Sequence, residues 1–138
     1  MVDNYKENYY DEIIKLGKIV NEDFEKIFKI NNLNRIEKIY VYLYDNKVTG
    51  FIHISSNYEI IDILNIVVDP KYEKQGIGTK LINYIIKKKD TIASKIMLEV
   101  REDNLKAINF YQKNHFTIIA KRQNYYKNKD ALIMERNI

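Results

Sequence analysis

The 138 residues suffice for one hydrophobic core, and the shares of hydrophobic (46%) and charged (30%) residues are typical of a globular protein, so we expect a single domain over residues 1–138. No apolar run reaches the roughly 20 residues that span a bilayer, and the N-terminus lacks the pattern of a secretory signal, which predicts a cytoplasmic protein without a membrane partner. The absence of cysteine excludes disulfides and thiol nucleophiles, and a bias toward residues with A/T-rich codons explains the net charge of +4 without a nucleic-acid partner.

The first half of the chain predicts helices followed by strands. Residues Tyr5 to Ile30 carry apolar side chains at helical spacing, which favours one or two amphipathic helices whose apolar face packs on a sheet. Residues Ile36 to Val68 are rich in β-branched and aromatic side chains and contain the polar turn Asp45-Asn46-Lys47. This pattern predicts three consecutive antiparallel strands.

The second half alternates strands with helices. A lysine-rich loop with Gly76 and Gly78 follows Pro70, and Asp103 or Asn104 is a suitable N-cap for a later helix. The predicted elements are a helix over Thr79–Lys89, a strand over Lys95–Val100, a helix over Asn104–Asn114, and the strands TIIAKR and DALIMER around a Tyr-rich loop. The order predicts an α+β domain with a mostly antiparallel, mixed sheet flanked by helices.

The segment Gln75–Thr79 places glycines at a strand-to-helix turn, where backbone N–H groups and the helix N-terminus can bind a diphosphate. It is too short for a Walker loop, and the third glycine of a dinucleotide fingerprint would fall on Leu81. The glycine pair by itself is compatible with either a phosphate site or a plain turn.

The longer segment VVDPKYEKQGIGTKLINYII resembles the acetyl-CoA motif of the GNAT acetyltransferase superfamily. The resemblance implies the GNAT fold and acetyl-CoA as co-substrate, with backbone hydrogen bonds from Ile66 and Val68 to the pantetheine arm and Val67 between them. Glu73 stands where the superfamily has Gln or Arg. The residues implied to hold the pyrophosphate are Glu73, Lys74, Gln75, Gly76, Ile77, Gly78 and Thr79.

The segment LEVREDNLKAINFYQKNHF resembles RimI-type ribosomal-protein alanine N-acetyltransferases, in which a strand Glu, a helix-start Asn and a helix Tyr recur in this order. These residues are Glu99, Asn104 and Tyr111. The later Tyr125-Tyr126 pair and Asp130–Met134 resemble the Tyr-Tyr loop and following strand of protein N-terminal acetyltransferases. The resemblance implies that the acceptor is a protein or peptide N-terminus, with the N-terminal alanine of a small-subunit ribosomal protein as the leading candidate.

Direct transfer from a thioester needs a neutral amine and an acid for the leaving thiolate, and no metal. Glu99 is the candidate base, although a strand Glu can simply face solvent or pair with Arg101 or a lysine. Tyr111 is the candidate acid, although most tyrosines of this kind are packing residues. Asn104 is a helix cap that the resemblance also assigns to the cofactor. Tyr125 and Tyr126 form either a wall for the peptide backbone or ordinary loop packing.

Two further functions remain compatible with the motifs. One is acetylation of a small-molecule amine, and the other is binding of acyl-CoA without catalysis. The presence of both Glu99 and Tyr111 argues against the second of these. With only His53 and His115 as imidazoles, and both expected to be structural or solvent-facing, we expect no metal site.

Overall fold

A computed structural model describes residues 1–126 and 128–138, with the side chain of Tyr126 outside the description. Within this part of the chain, seven strands form one mixed sheet in the order β1-β2-β3-β4-β5-β7-β6, and four α-helices flank it, which confirms the predicted α+β class. The elements are β1 (Val2–Asn4), α1 (Tyr10–Val20), α2 (Phe24–Ile27), β2 (Glu37–Tyr44), β3 (Lys47–Asn57), β4 (Ile60–Val68), α3 (Ile77–Lys88), β5 (Lys95–Arg101), α4 (Leu105–Lys113), β6 (Thr117–Tyr126) and β7 (Lys129–Asn137).

The chain divides into two compact units, the first of residues 1–55 and 63–89 and the second of residues 56–62 and 90–138. In the first unit β1 pairs with β2 and β2 with β3, in both cases antiparallel. The β2–β3 hairpin closes through Asp45 and Asn46, which both adopt positive φ angles (49° and 62°). Two such residues form the turn whose twist matches that of the strands, so the polar turn expected from the sequence is confirmed.

The first unit has a hydrophobic core between helices α1 and α2 and one face of β2 and β3. Ile13 and Phe24 are fully buried there with Val41 and Phe51 from the strands. The Phe24 ring lies directly over Gly17 of α1, where an added Cβ would stand 2.3 Å from a ring carbon. The helical stripe predicted between Tyr5 and Ile30 therefore packs on the sheet as expected.

Helix α3 packs on the opposite face of the same strands. Its Tyr84 ring meets Tyr40 of β2 with ring centroids 5.1 Å apart. Its first residue, Ile77, lies against Gly50 of β3, where an added Cβ would stand 3.0 Å from both the Ile77 side chain and the Val67 carbonyl oxygen. The missing side chain at Gly50 thus lets the start of α3 approach the backbone of β4 closely.

In the second unit, Ile60–Asp62 pair in parallel with Lys95–Met97 of β5, while β5 and β6 each pair antiparallel with β7. Ile96, Leu98 and Val100 alternate with less buried residues along β5. Arg136, which is paired with Ile96, donates from Nη1 to the Asn114 carbonyl oxygen at the end of α4 (3.1 Å). Helix α4 therefore covers the Ile96 face of these strands.

Three elements differ from the prediction by more than one residue at an end. Strand β1 was not predicted, because three residues are too few for a periodic signal and pairing with β2 defines the strand. Helix α3 begins at Ile77 instead of Thr79. Asn124 to Tyr126, expected to form a loop, belong to the end of β6, whose register against β7 shifts between Arg122 and Tyr126.

Candidate active site

The Asp-Pro pair shapes the turn that leaves β4. Asp69 caps a short 3-10 turn over Pro70–Tyr72, and its carboxylate accepts from the Lys71 backbone N–H at 3.0 Å. Pro70 occupies the first position of that turn, where its missing N–H leaves no donor unsatisfied. The Asp69 backbone N–H donates to the Thr49 carbonyl oxygen at 2.8 Å, which ties the turn to β3.

Gly76 is the N-cap of α3 and adopts a left-handed conformation with φ 75°. An added Cβ there would meet no atom within 4 Å, so the space in front of the helix is open. The first helical hydrogen bond runs from the Lys80 N–H to the Gly76 carbonyl oxygen. The N–H groups of Ile77, Gly78 and Thr79 are those that an α-helix leaves without an intrahelical acceptor, and they suit a phosphate.

The residues that precede this helix start are close to it in the chain and partly accessible. Lys74 (φ 66°) and Gln75 are exposed, and Glu73 is half-buried at the end of the 3-10 turn. On β4, Val67 is buried in the core of the first unit, whereas Ile66 and Val68 are half-buried on the other face of the strand. The first unit thus brings the predicted pyrophosphate loop and the end of β4 together around Gly50.

Not every nearby lysine is directed at the glycine loop. The Lys80 ammonium lies 3.3 Å from the Tyr42 hydroxyl and 5.4 Å from the centre of the Tyr42 ring. This cation–π contact orients the Lys80 charge toward β2. Lys71 and Lys74 are exposed.

In the second unit, Glu99 lies on the face of β5 opposite to α4, because it alternates with the buried Leu98 and Val100. Its carboxylate lies 3.3 Å from the Arg122 guanidinium of β6. That guanidinium is also 5.3 Å from the centre of the Tyr125 ring. Arg122 therefore joins the candidate base to one candidate acceptor residue, while the Tyr126 side chain lies outside the described part of the structure.

Tyr111 lies on α4 and is 8% exposed, packed edge-on against Phe110 and Phe116. Burial raises the pKa of Tyr111 to about 12. Within residues 1–126 and 128–138 its hydroxyl has no hydrogen-bond partner, and no fully buried side-chain oxygen or nitrogen there lacks one. The Tyr111 hydroxyl is therefore almost but not fully buried, and its ring is in the core.

Asn104 is confirmed as the N-cap of α4, since its side-chain oxygen accepts from the Ala107 N–H at 3.2 Å. The capping bond engages Oδ1 and leaves the Nδ2 group of the same amide as a donor. A cap and a ligand contact can therefore coexist on this side chain.

Two residues near Glu99 were not predicted from the sequence. Arg122 faces Glu99 only because of the register of β6 on β7 and β7 on β5. Asp62 is paired with Met97, one alternation away from Glu99 on the same face. Burial, and then the negative charge of Glu99, raise the pKa of Asp62. The sequence could have indicated Asp62, because it is an acid within the apolar run IIDIL. Nothing in the sequence around Arg122 indicates that it lies beside Glu99.

The two histidines differ in environment. His53 is 1% exposed, with Nε2 2.9 Å from the Glu37 carboxylate and Nδ1 3.1 Å from the Asn65 amide. Burial lowers the pKa of His53, although the hydrogen bond to Glu37 acts in the opposite direction. His115 is exposed beyond the end of α4. Among the described residues, no group of three or more acidic or histidine side chains is arranged to hold a metal ion.

The sequence pattern of the acetyltransferase (GNAT) family matches residues 4–116. The chain therefore belongs to the GNAT acetyltransferase family, an acetyl-CoA-dependent class of acyltransferases, and the predicted family is confirmed. No helix in the described residues is long and apolar enough to cross a membrane.

Three known proteins illustrate the similarity. An N-alpha-acetyltransferase of Saccharolobus solfataricus is 30% identical over 143 residues, covering 91% of this chain and 86% of that protein. The [ribosomal protein bS18]-alanine N-acetyltransferase of Escherichia coli is 38% identical over 78 residues, covering 52% of each chain. The crystal structure of the Escherichia coli ribosomal-protein-S18-alanine N-acetyltransferase has a TM-score of 0.86 at 22% identity, covering 100% of this chain and 93% of that one.

A protein from Bacillus anthracis described as a streptothricin acetyltransferase, in complex with acetyl coenzyme A, has a TM-score of 0.72 at 28% identity. The match covers 80% of this chain and 68% of that one. The GNAT fold predicted from the sequence is therefore confirmed, and the relatives include enzymes named for both protein and small-molecule acceptors.

Proposed function

We propose that the chain is a single GNAT domain that transfers the acetyl group of acetyl-CoA directly to the α-amine of a protein or peptide N-terminus. The observation that carries this proposal is the exposed Glu99 carboxylate on β5, which lies 3.3 Å from Arg122 and beside Tyr125, on a chain whose relatives include an N-alpha-acetyltransferase. Acyl transfer to an amine needs a base for the amine and an acid for the leaving thiolate. Glu99 is the proposed base and Tyr111, on the helix that follows β5, is the proposed acid.

We propose that the start of α3 binds the pyrophosphate of acetyl-CoA. The N–H groups of Ile77, Gly78 and Thr79 would donate to phosphate oxygens, and the open space at Gly76 lets a ligand approach the backbone. Ile66 and Val68 would offer backbone groups to the pantetheine arm, and the Nδ2 group of Asn104 would add a side-chain donor. The bound acetyl coenzyme A named for the Bacillus anthracis protein supports acetyl-CoA as the co-substrate.

In the proposed reaction, Glu99 removes one proton from the acceptor ammonium group. The free amine then attacks the thioester carbonyl, so that a C–N bond forms and the C–S bond breaks. Tyr111 supplies its proton to the departing thiolate, the second proton lost by the nitrogen restores the Tyr111 hydroxyl through solvent, and Glu99 releases the first proton to water. An unperturbed α-amine has a pKa of about 7.7–8.0 against about 10.4 for lysine, so a carboxylate base suffices for an N-terminus.

Two observations support a protein N-terminus as acceptor. The Saccharolobus solfataricus relative, named an N-alpha-acetyltransferase, covers 91% of this chain. Tyr125 stands beside the Arg122–Glu99 pair, where an aromatic wall could hold a peptide backbone. The N-terminal alanine of a small-subunit ribosomal protein remains the leading particular substrate, supported by the Escherichia coli relative over half of the chain.

The second candidate function is acetylation of a small-molecule amine, which the similarity to the Bacillus anthracis protein favours. One experiment separates the two. The protein is incubated with acetyl-CoA and with free-N-terminal peptides, the same peptides carrying a blocked α-amine and a free lysine, and polyamines. We expect thiol release and a mass increase of one acetyl group for the free N-termini alone. Faster turnover on a polyamine than on every peptide would select the second candidate, and CoA binding without any turnover would indicate a non-catalytic module.

A further inference from the structure

Asp62 has the properties of a functional carboxylate that the reaction above does not use. It is half-buried on β4, and within residues 1–126 and 128–138 its carboxylate has no hydrogen bond and no cationic partner. Its burial and the nearby Glu99 charge both disfavour the ionised form and raise its pKa. An unpaired, partly buried Asp is a cost to stability, so packing gives no reason for an acid at this position.

The strand register places Asp62 on the same face as Glu99. Asp62 is paired with Met97 on the parallel strand β5, and Met97 and Glu99 are two residues apart and therefore point the same way. The cations on this face are already paired. Lys95 lies 3.7 Å from Glu135 of β7, Arg122 lies 3.3 Å from Glu99, and Arg101 lies 2.9 Å from Asp103.

We propose that Asp62 is a further acceptor-binding residue, which holds the ammonium group of the acceptor beside Glu99 before its proton is removed. The inference rests on the proposed function. A cation arriving on this face would find one carboxylate without a partner and a second held by Arg122. Because Arg122 partly neutralises the charge of Glu99, Asp62 would supply most of the attraction for the acceptor ammonium group. Glu99 would then take the proton. Asp62 itself neither gains nor loses a bond in the transfer.

The test uses Asp62→Asn, which keeps the side-chain shape and removes the charge. The matched control is Glu135→Gln, because Glu135 flanks Met97 from the other side but is paired with Lys95. With a peptide that the wild type acetylates, Asp62→Asn should raise KM for the peptide by about tenfold or more, the size expected for a lost charged hydrogen bond. The affinity for acetyl-CoA should not change, and Glu135→Gln should stay within about twofold of wild type.

The melting temperature supplies a second test, because the loss of a stabilising structural contact of Asp62 would lower it, whereas our proposal does not. Because the fold disfavours the ionised Asp62, Asp62→Asn should leave the melting temperature at neutral pH unchanged or raise it. On acidification the stability difference between variant and wild type should shrink, as protonation relieves the same cost in the wild type. The charged groups on this face of β5, β7 and β6 are Lys95, Glu99, Arg101, Glu135 and Arg122, and Glu99 is the one that acts on the pKa of Asp62, so the pH series is run on both variants.

An unchanged peptide KM in Asp62→Asn, an equal increase in Glu135→Gln, or a lower melting temperature in Asp62→Asn would each overturn the proposal. The outcome is separable from that of the proposed function. If the wild type acetylates polyamines instead of peptides, the same KM comparison is made with the polyamine. If it acetylates nothing, calorimetric binding of the peptide to the CoA-loaded protein still distinguishes wild type from Asp62→Asn.

Discussion

At the scale of the residue, Tyr111 combines two properties that packing alone does not require. Its ring is buried among Phe110 and Phe116, while its hydroxyl is unpartnered among the described residues and not fully buried. A tyrosine whose function is packing gains nothing from such a hydroxyl. The same group, protonated at every physiological pH because its pKa is about 12, is always available to donate.

We expect Tyr111→Phe to lower kcat by at least about tenfold, because the ring is kept and only the proton donor is lost, and a general acid typically contributes roughly 10²–10⁴-fold. The affinity for acetyl-CoA and the melting temperature at neutral pH should stay near wild type, since no described hydrogen bond is removed. Steady-state kinetics and calorimetry on the one variant measure both. A near-normal kcat would assign Tyr111 to the core alone.

At the scale of the element, helix α3 provides the strongest test of the cofactor site. Gly76→Asp should weaken CoA binding by at least about a hundredfold, because like charges about 4 Å apart repel by several kcal/mol at an effective dielectric constant near 20. Asp tolerates the left-handed conformation better than most residues, and a negative charge stabilises a helix N-terminus, so folding should be retained.

Gly76→Asn is the matched control, since it adds nearly the same volume without the charge. Its CoA affinity, measured by calorimetry, should fall by less than about tenfold. Equal losses in the two variants would mean that shape, and not phosphate charge, explains the effect. Unchanged affinity in folded Gly76→Asp would place the pyrophosphate elsewhere.

The elements differ in how well the sequence predicts them. The helical stripe of α1, the polar turn at Asp45-Asn46 and the cap at Asn104 are local signals, and the structure agrees with each. Strand β1 and the Tyr125 end of β6 depend on pairing with distant strands, which composition does not encode. Asp62 and Arg122 lie beside Glu99 for the same reason, through strand register.

At the scale of the whole molecule, the buried Tyr111 makes stability depend on pH in alkaline solution. In the folded state Tyr111 has a pKa of about 12, whereas in the unfolded chain its pKa is about 10. Between these two values the folded protein keeps the Tyr111 proton and the unfolded chain has lost it. This contribution to stability is complete below about pH 10 and is lost as the pH rises toward 12.

At pH 11 the free energy of unfolding of the wild type should therefore have fallen by on the order of 1 kcal/mol more, relative to pH 8, than that of Tyr111→Phe. Urea denaturation of both proteins at the two pH values measures this difference. The other tyrosines contribute equally to the pH dependence of both proteins, so their contribution cancels in the comparison. Parallel loss of stability in the two proteins would show that Tyr111 ionises normally in the folded state.

The contact of Phe24 with Gly17 has an evolutionary consequence. A Cβ at position 17 would stand 2.3 Å from the ring, so even alanine there forces the aromatic group out of the core it helps to fill. Conversely, a smaller residue at position 24 leaves a void that glycine cannot occupy. Neither position can change alone without loss, so the two should co-vary across descendants of this sequence, a large ring accompanying glycine and a smaller side chain accompanying a bulkier helix residue.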